Sequence, residues 1–126
     1  MSQAANIMTR FNPNANVMDD GGNVGFREDV TDPDGRMYQI GYLSTRDGRR
    51  AVAYCLYNPW GGEGRPNAGE EYVKGHVAED GFLCVGSDTI RDLESSPYDL
   101  DYTVQRARYW CTAFSVFKET GSFPNP

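Results

Sequence analysis

The sequence predicts an α+β domain in which an antiparallel β-meander packs against a long C-terminal helix. Three runs, GFREDV, RMYQIGYLS and RRAVAYCLYN, are separated by DPDG and TRDG, whose Asp and Gly residues suit tight turns. Farther along, Leu100, Val104, Ala107, Cys111 and Phe114 follow steps of four, three, four and three, which lines them along one face of a helix. Strands first and one long helix last is the element order of an α+β fold.

Residues 1–22 are rich in Asn and contain Pro13, Asp19, Asp20, Gly21 and Gly22, with neither a helical nor a strand period. They read as an N-terminal arm or loosely packed lead-in, and residues 23–126 as a single domain. Between Arg36 and Ser44 the set Met37, Gln39, Gly41, Leu43 alternates with Tyr38, Ile40, Tyr42, the pattern of a strand with two unlike faces. Ala51 to Tyr57 is nearly all apolar and suits a central strand, which makes Cys55 a small buried hydrophobe.

The segment NPWGGEGRPNAGEE, Asn58 to Glu71, breaks regular structure and predicts a long loop. Short apolar runs resume at Tyr72 to Val77 and at Phe82 to Val85, with Glu79-Asp80-Gly81 turning between them, so that Cys84 closes a short extended segment. The helix is expected from Pro97 to about Glu119: Ser96 suits the N-cap, Pro97 the first helical position and Asp99 the first turn. Lys118, Gly121 and Pro124 supply the stop. Cys111 lies on the apolar stripe and is expected to be structural.

A chain of 126 residues is long enough to fold without a disulfide or a metal. Its 39% hydrophobic and 24% charged residues fall in the globular range. Twelve basic residues against eighteen acidic give a net charge of −6, which disfavours a grip on a phosphate backbone, so no nucleic acid partner is expected. Nothing resembles a membrane span, and the opening MSQAANIMTRFNPNANVMDD has no apolar stretch of signal-peptide length. A cytoplasmic protein with no membrane partner is expected. Three cysteines at wide spacings, Cys55, Cys84 and Cys111, make a poor disulfide framework and suit free thiols.

One stretch concentrates chemistry. HVAEDGFLCVG, His76 to Gly86, holds the only histidine, an Asp-Gly turn and one of the three cysteines. The chain has no second histidine for a two-His metal site, no CxxC, no GxxxxGK loop and no GxSxG. A zinc site on His76 and Cys84 would need Cys55 and Cys111, whose apolar settings are better explained by packing, so neither a metal nor a cofactor is expected. A Cys84–His76 dyad would lack thiolate activation, because the surrounding acids raise a thiol pKa and no basic residue is near Cys84 in sequence. Such a cysteine needs a substrate that is already activated.

The stretch resembles the active-site segment of ubiquitin-conjugating enzymes, and of their bacterial branch in particular. The matching elements are His76, Asp80-Gly81, Leu83-Cys84, the helix from Ser96-Pro97-Tyr98-Asp99-Leu100 through Ala107-Arg108-Tyr109-Trp110, and the closing Thr120-Gly121-Ser122-Phe123-Pro124. The likeness covers residues 36–126 as architecture and 76–124 as motifs. It implies a fold like that of the conjugating enzymes and a thioester nucleophile at Cys84, which accepts a ubiquitin-like protein from an activating enzyme and passes it to an amine on a target protein. It implies a bacterial modification or antiviral pathway. Within it, Asp88 would direct a lysine, and His76 would support the turn or an oxyanion. The chain departs from the eukaryotic pattern at Val77-Ala78, where those enzymes carry Pro-Asn with an asparagine thought to support the oxyanion, and the usual N-terminal helix is not evident in residues 1–22.

Two other readings stand beside this one. A noncatalytic domain of the same fold would bind a ubiquitin-like partner and leave Cys84 incidental. A small acidic inhibitor mimicking nucleic acid would need a continuous acidic stripe, whereas arginines recur throughout the chain, as at Arg49-Arg50 and Arg106 with Arg108.

Overall fold

The computed structural model describes residues 1–61, 75–78, 80–86 and 90–124. Its first element corrects the expectation for the N-terminal residues. Ser2 accepts a hydrogen bond from the Ala5 amide at 3.0 Å and caps helix α1, Gln3–Phe11, which buries Ala4, Ala5 and Met8 in the core. The Ala4 amide donates to the Arg46 carbonyl at 3.0 Å, so the helix is tied to the sheet at its start. Ala4, Ile7, Met8 and Phe11 recur at helical spacing, so the period is present in the sequence, set among the polar Gln3, Asn6, Thr9 and Arg10 of a helix only nine residues long.

Four strands follow as an antiparallel meander in the order β1-β2-β3-β4: Asn16–Asp19, Val24–Thr31, Met37–Ser44 and Ala51–Tyr57. The first lies within the segment expected to be an arm and forms an exposed edge, Val17 pairing with Phe26. DPDG and TRDG make the two turns expected of them, with Gly35 and Gly48 at φ 83° and 76°, where a side chain would be strained. Asp32 holds the first turn by accepting from the Asp34 and Arg36 amides, each at 2.9 Å. Register places Phe26 opposite Tyr42, and Tyr42 opposite Ala53, on the buried face, so the alternation in β3 falls as expected: Tyr38, Ile40 and Tyr42 are buried.

Helix α2, Leu100–Thr120, lays its stripe of Leu100, Val104, Ala107, Cys111 and Phe114 on that face, each at most 1% exposed. It starts three residues later than the sequence suggests. Ser96 is buried and donates its hydroxyl to the Ala51 carbonyl at 2.7 Å, which anchors the approach to the helix on β4. Asp99 takes the cap instead, accepting from the Tyr102 amide at 2.8 Å. Gly121, at φ 84°, ends the helix in a left-handed turn. The fold is thus α+β, a four-strand antiparallel sheet with a C-terminal helix. Among the described residues, no helix is long and apolar enough to cross a membrane.

A polar core network links this helix to the start of the Pro/Gly-rich segment. Ser115 donates to Asp32 at 2.6 Å and lies 2.6 Å from the Tyr38 hydroxyl, while the Trp60 indole N–H reaches both the Tyr38 and Ser115 oxygens at 3.2 Å. Burial pushes the Tyr38 phenol well above its ordinary pKa despite these bonds, so it remains a neutral hydroxyl at physiological pH.

Candidate functional site

The three cysteines part company in the fold. Cys55 and Cys111 are buried, and burial pushes the Cys55 thiol up to about 12 and the Cys111 thiol well above its usual value. Both are packing residues, as expected. Cys84 alone is half-exposed.

Cys84 is carried by a short segment bolted to β4. The Leu83 amide donates to Ala53 O at 2.9 Å and the Cys55 amide to Gly81 O at 2.7 Å, giving a bridge between Tyr54 and Phe82. The chain reverses at Ala78 to Phe82: the Gly81 amide donates to Ala78 O at 2.9 Å, and Ala78 N to Phe82 O at 2.7 Å. Gly81 stands at φ 95°, and a Cβ there would collide with the Cys55 carbonyl oxygen, so only glycine suits the turn. The Asp-Gly signal in the sequence marks this position.

Beyond the cysteine, helix α2 takes over. The Tyr102 hydroxyl donates to Val85 O at 3.1 Å, and Tyr98 stacks on Tyr102 with ring centroids 5.0 Å apart. Gly86 lies so close to the Tyr98 hydroxyl that a Cβ would strike it. The other end of the segment is pinned by the Trp110 indole N–H, which donates to Gly75 O at 2.7 Å.

His76 is the only non-glycine residue among the described ones with positive φ, at 56°. A left-handed backbone costs a residue with a Cβ about 1–2 kcal/mol. Its carbonyl accepts the Cys84 amide at 3.1 Å, and its ring packs against Phe123 with centroids 4.4 Å apart and the planes tilted by 36°. An aromatic pair contributes about 0.5–1.5 kcal/mol, comparable with the backbone cost it accompanies. The hydrogen bond between His76 and Cys84 comes from the His76 backbone, and the side chain makes the ring contact with Phe123.

The thiol of Cys84 is raised above its ordinary value by burial, with the positive charge of Arg91 pulling the other way. Arg91 pairs with Asp80 and lies over the Phe82 ring at 4.8 Å. Arg91 stands seven residues beyond Cys84 in the sequence, nearer than His76, and the fold brings its charge to bear on the thiol. It is the one Lys or Arg between Lys74 and Arg106, a signal that the sequence carries beside Asp92 and that only the fold resolves in direction. Arg91→Gln is expected to move the alkaline rise of Cys84 alkylation to higher pH, since a nearby cation favours the thiolate. An unchanged pH profile would mean that solvent screens the charge completely.

Asp88, Glu79 and residues 62–74, which include most of the expected loop and the start of the Tyr72 to Val77 run, lie outside the described residues. Among those described, no group of three His, Cys, Asp or Glu side chains is placed to hold a metal ion. The chain matches no family model, no curated protein and no solved structure. What the site does has to follow from its own residues.

Proposed function

We propose that this domain is a ubiquitin-conjugating-enzyme-like carrier, which accepts a ubiquitin-like protein as a thioester on Cys84 and passes it to an amine. The observation that carries the reading is the contrast among the thiols: Cys84 alone is partly exposed, on a segment tied both to β4 and to α2. Helix α1 ahead of the meander adds an N-terminal helix not expected in residues 1–22, so the order of elements comes closer to that family.

The chemistry asks little of the thiol beyond position. Cys84 Sγ attacks the carbonyl carbon of the thioester on the activating enzyme; the new S–C bond forms as the old one breaks, and the departing sulfur takes up a proton. An amine of the target then attacks the Cys84 thioester, an amide forms, and the Cys84 thiol is restored. No oxidant, metal or cofactor enters the balance. A thiol with a raised pKa offers less thiolate at neutral pH, but each thiolate is more nucleophilic, and the acyl group arrives already activated. Arg91 offsets part of the burial. Asp88 is proposed to receive the lysine ammonium, and His76 to hold the turn.

A second reading, a noncatalytic module that binds a ubiquitin-like partner, is favoured by the buried Val77 and Ala78, which put apolar side chains where the eukaryotic enzymes carry Pro-Asn. The acidic-mimic reading lacks comparable support: Asp19, Glu28, Asp32, Asp34, Asp47, Asp80 and Glu119 each pair with an arginine, which interrupts any acidic stripe.

Incubation with a ubiquitin-like protein, its activating enzyme and ATP should give an adduct that thiol reductant removes. Cys84→Ala should abolish it and Cys84→Ser should convert it to a reductant-resistant ester. No adduct with a cognate pair of proven activity would leave the noncatalytic reading.

A further inference from the structure

We propose that the C-terminal segment is a clasp on the Cys84 site, with Phe123 a positioning residue that holds His76 in its left-handed conformation and so fixes Cys84. The proposal takes from the reading above the premise that Cys84 is the reactive thiol. Its test needs no modifier or activating enzyme.

The chain of contacts is short. Gly121 reverses the chain at the end of α2, and the reversal is fastened by Thr120, whose hydroxyl accepts from the Ser122 amide at 3.3 Å. Phe123 then reaches two places at once, the Phe117 ring on the last turns of α2 at 6.4 Å and the His76 ring at 4.4 Å. His76 is exposed, and its ring packs against Phe123 at a tilt of 36°. The carbonyl of the same residue accepts the Cys84 amide.

If His76 relaxed to an ordinary φ, its carbonyl would swing away from Cys84. The Trp110 bond to Gly75 anchors the neighbouring residue but does not set φ of His76. Phe123 therefore tips the balance between a closed segment, with the thiol half-buried, and an open one with the thiol free.

Glycine separates the ring from the backbone. At position 76 it accepts φ 56° without strain, so His76→Gly should keep the Cys84 bond while removing any need for the clasp. Alkylation of the intact protein by N-ethylmaleimide, read at Cys84 by peptide mass spectrometry, follows the opening directly.

Phe123→Ala should accelerate labelling by about three- to tenfold, the shift in an opening equilibrium expected from losing one aromatic pair. Phe123→Tyr should restore the wild-type rate. His76→Gly should label near the wild-type rate, and adding Phe123→Ala to it should change nothing further. Equal acceleration by Phe123→Ala in both backgrounds would overturn the proposal, because the tail would then be a simple cover. So would an unchanged rate, or parallel labelling of the buried Cys55 and Cys111, which marks global unfolding. The labelling pattern without any thioester adduct would sink the carrier reading and keep the clasp; an adduct with the pattern missing would do the reverse.

Discussion

Arg108→Ala is expected to destabilise the domain by about 3 kcal/mol, the cost of stranding a buried charge. Glu28, on β2, has a side chain fully shielded from solvent. Its carboxylate accepts from Arg108 Nη2 at 2.6 Å and Nε at 3.1 Å, from the Tyr42 hydroxyl at 2.6 Å and from Asn12 Nδ2 at 3.1 Å. The guanidinium also lies over the Phe11 ring at 5.4 Å, so one ion pair joins the sheet, α2 and the end of α1. Without it the carboxylate keeps only neutral donors. The Arg108 side chain is 36% exposed, which holds the expected loss to the lower end of the range for buried pairs.

The pH dependence has a definite sign. Burial pushes the Glu28 carboxyl up, but the hydrogen bonds from Arg108, Tyr42 and Asn12 outweigh it and hold the pKa below the ordinary 4.5. A carboxylate lowered on folding stabilises the native state above that value, and the contribution is lost as pH falls through the folded pKa. In Arg108→Ala burial faces weaker opposition and the carboxyl titrates higher. The deficit in urea unfolding should therefore be largest at neutral pH and shrink toward pH 4.5. Combining Glu28→Gln with Arg108→Met should recover most of it, since both charges are then gone. A loss under about 1 kcal/mol at neutral pH would mean that water replaces the guanidinium at little cost.

That pair also shows where sequence reading ends. Glu28 and Arg108 are 80 residues apart, and nothing local to either names the other. Most of what rests on a local period was legible: the alternation of Tyr38, Ile40 and Tyr42, the stripe on α2 and the glycine turns at Gly35 and Gly48, with α1 the exception, its Ala4, Ile7, Met8 and Phe11 hidden among polar residues in a short helix. What rests on contact across the fold was not. Ser96 carries the local signature of an N-cap, yet its hydroxyl is taken by Ala51 O, a competitor that appears only once β4 is in place. At the candidate site the split is the same. Cys84 and its turn stand out in the sequence, while Arg91, Phe123 and Trp110 reach them only through folding.

Gly81→Ala should cost about 3 kcal/mol and Gly35→Ala about 1 kcal/mol, although both glycines stand at positive φ. The difference lies in what a methyl would meet. At Gly35 there is nothing within 4 Å, so the substitution carries backbone strain alone. At Gly81 the new Cβ would run into the Cys55 carbonyl oxygen, and the turn can escape only by stretching the bond from Cys55 N to Gly81 O, now 2.7 Å. The neighbouring bond from Leu83 N to Ala53 O shares that strain, so the segment carrying Cys84 would lift from β4. Urea unfolding measures the cost, and faster alkylation of Cys84 in native buffer locates it. If Gly81→Ala behaved like Gly35→Ala in both measurements, the turn would be a loose cover over β4, and the position of Cys84 would have to be set from the α2 side, through Tyr102 and Trp110.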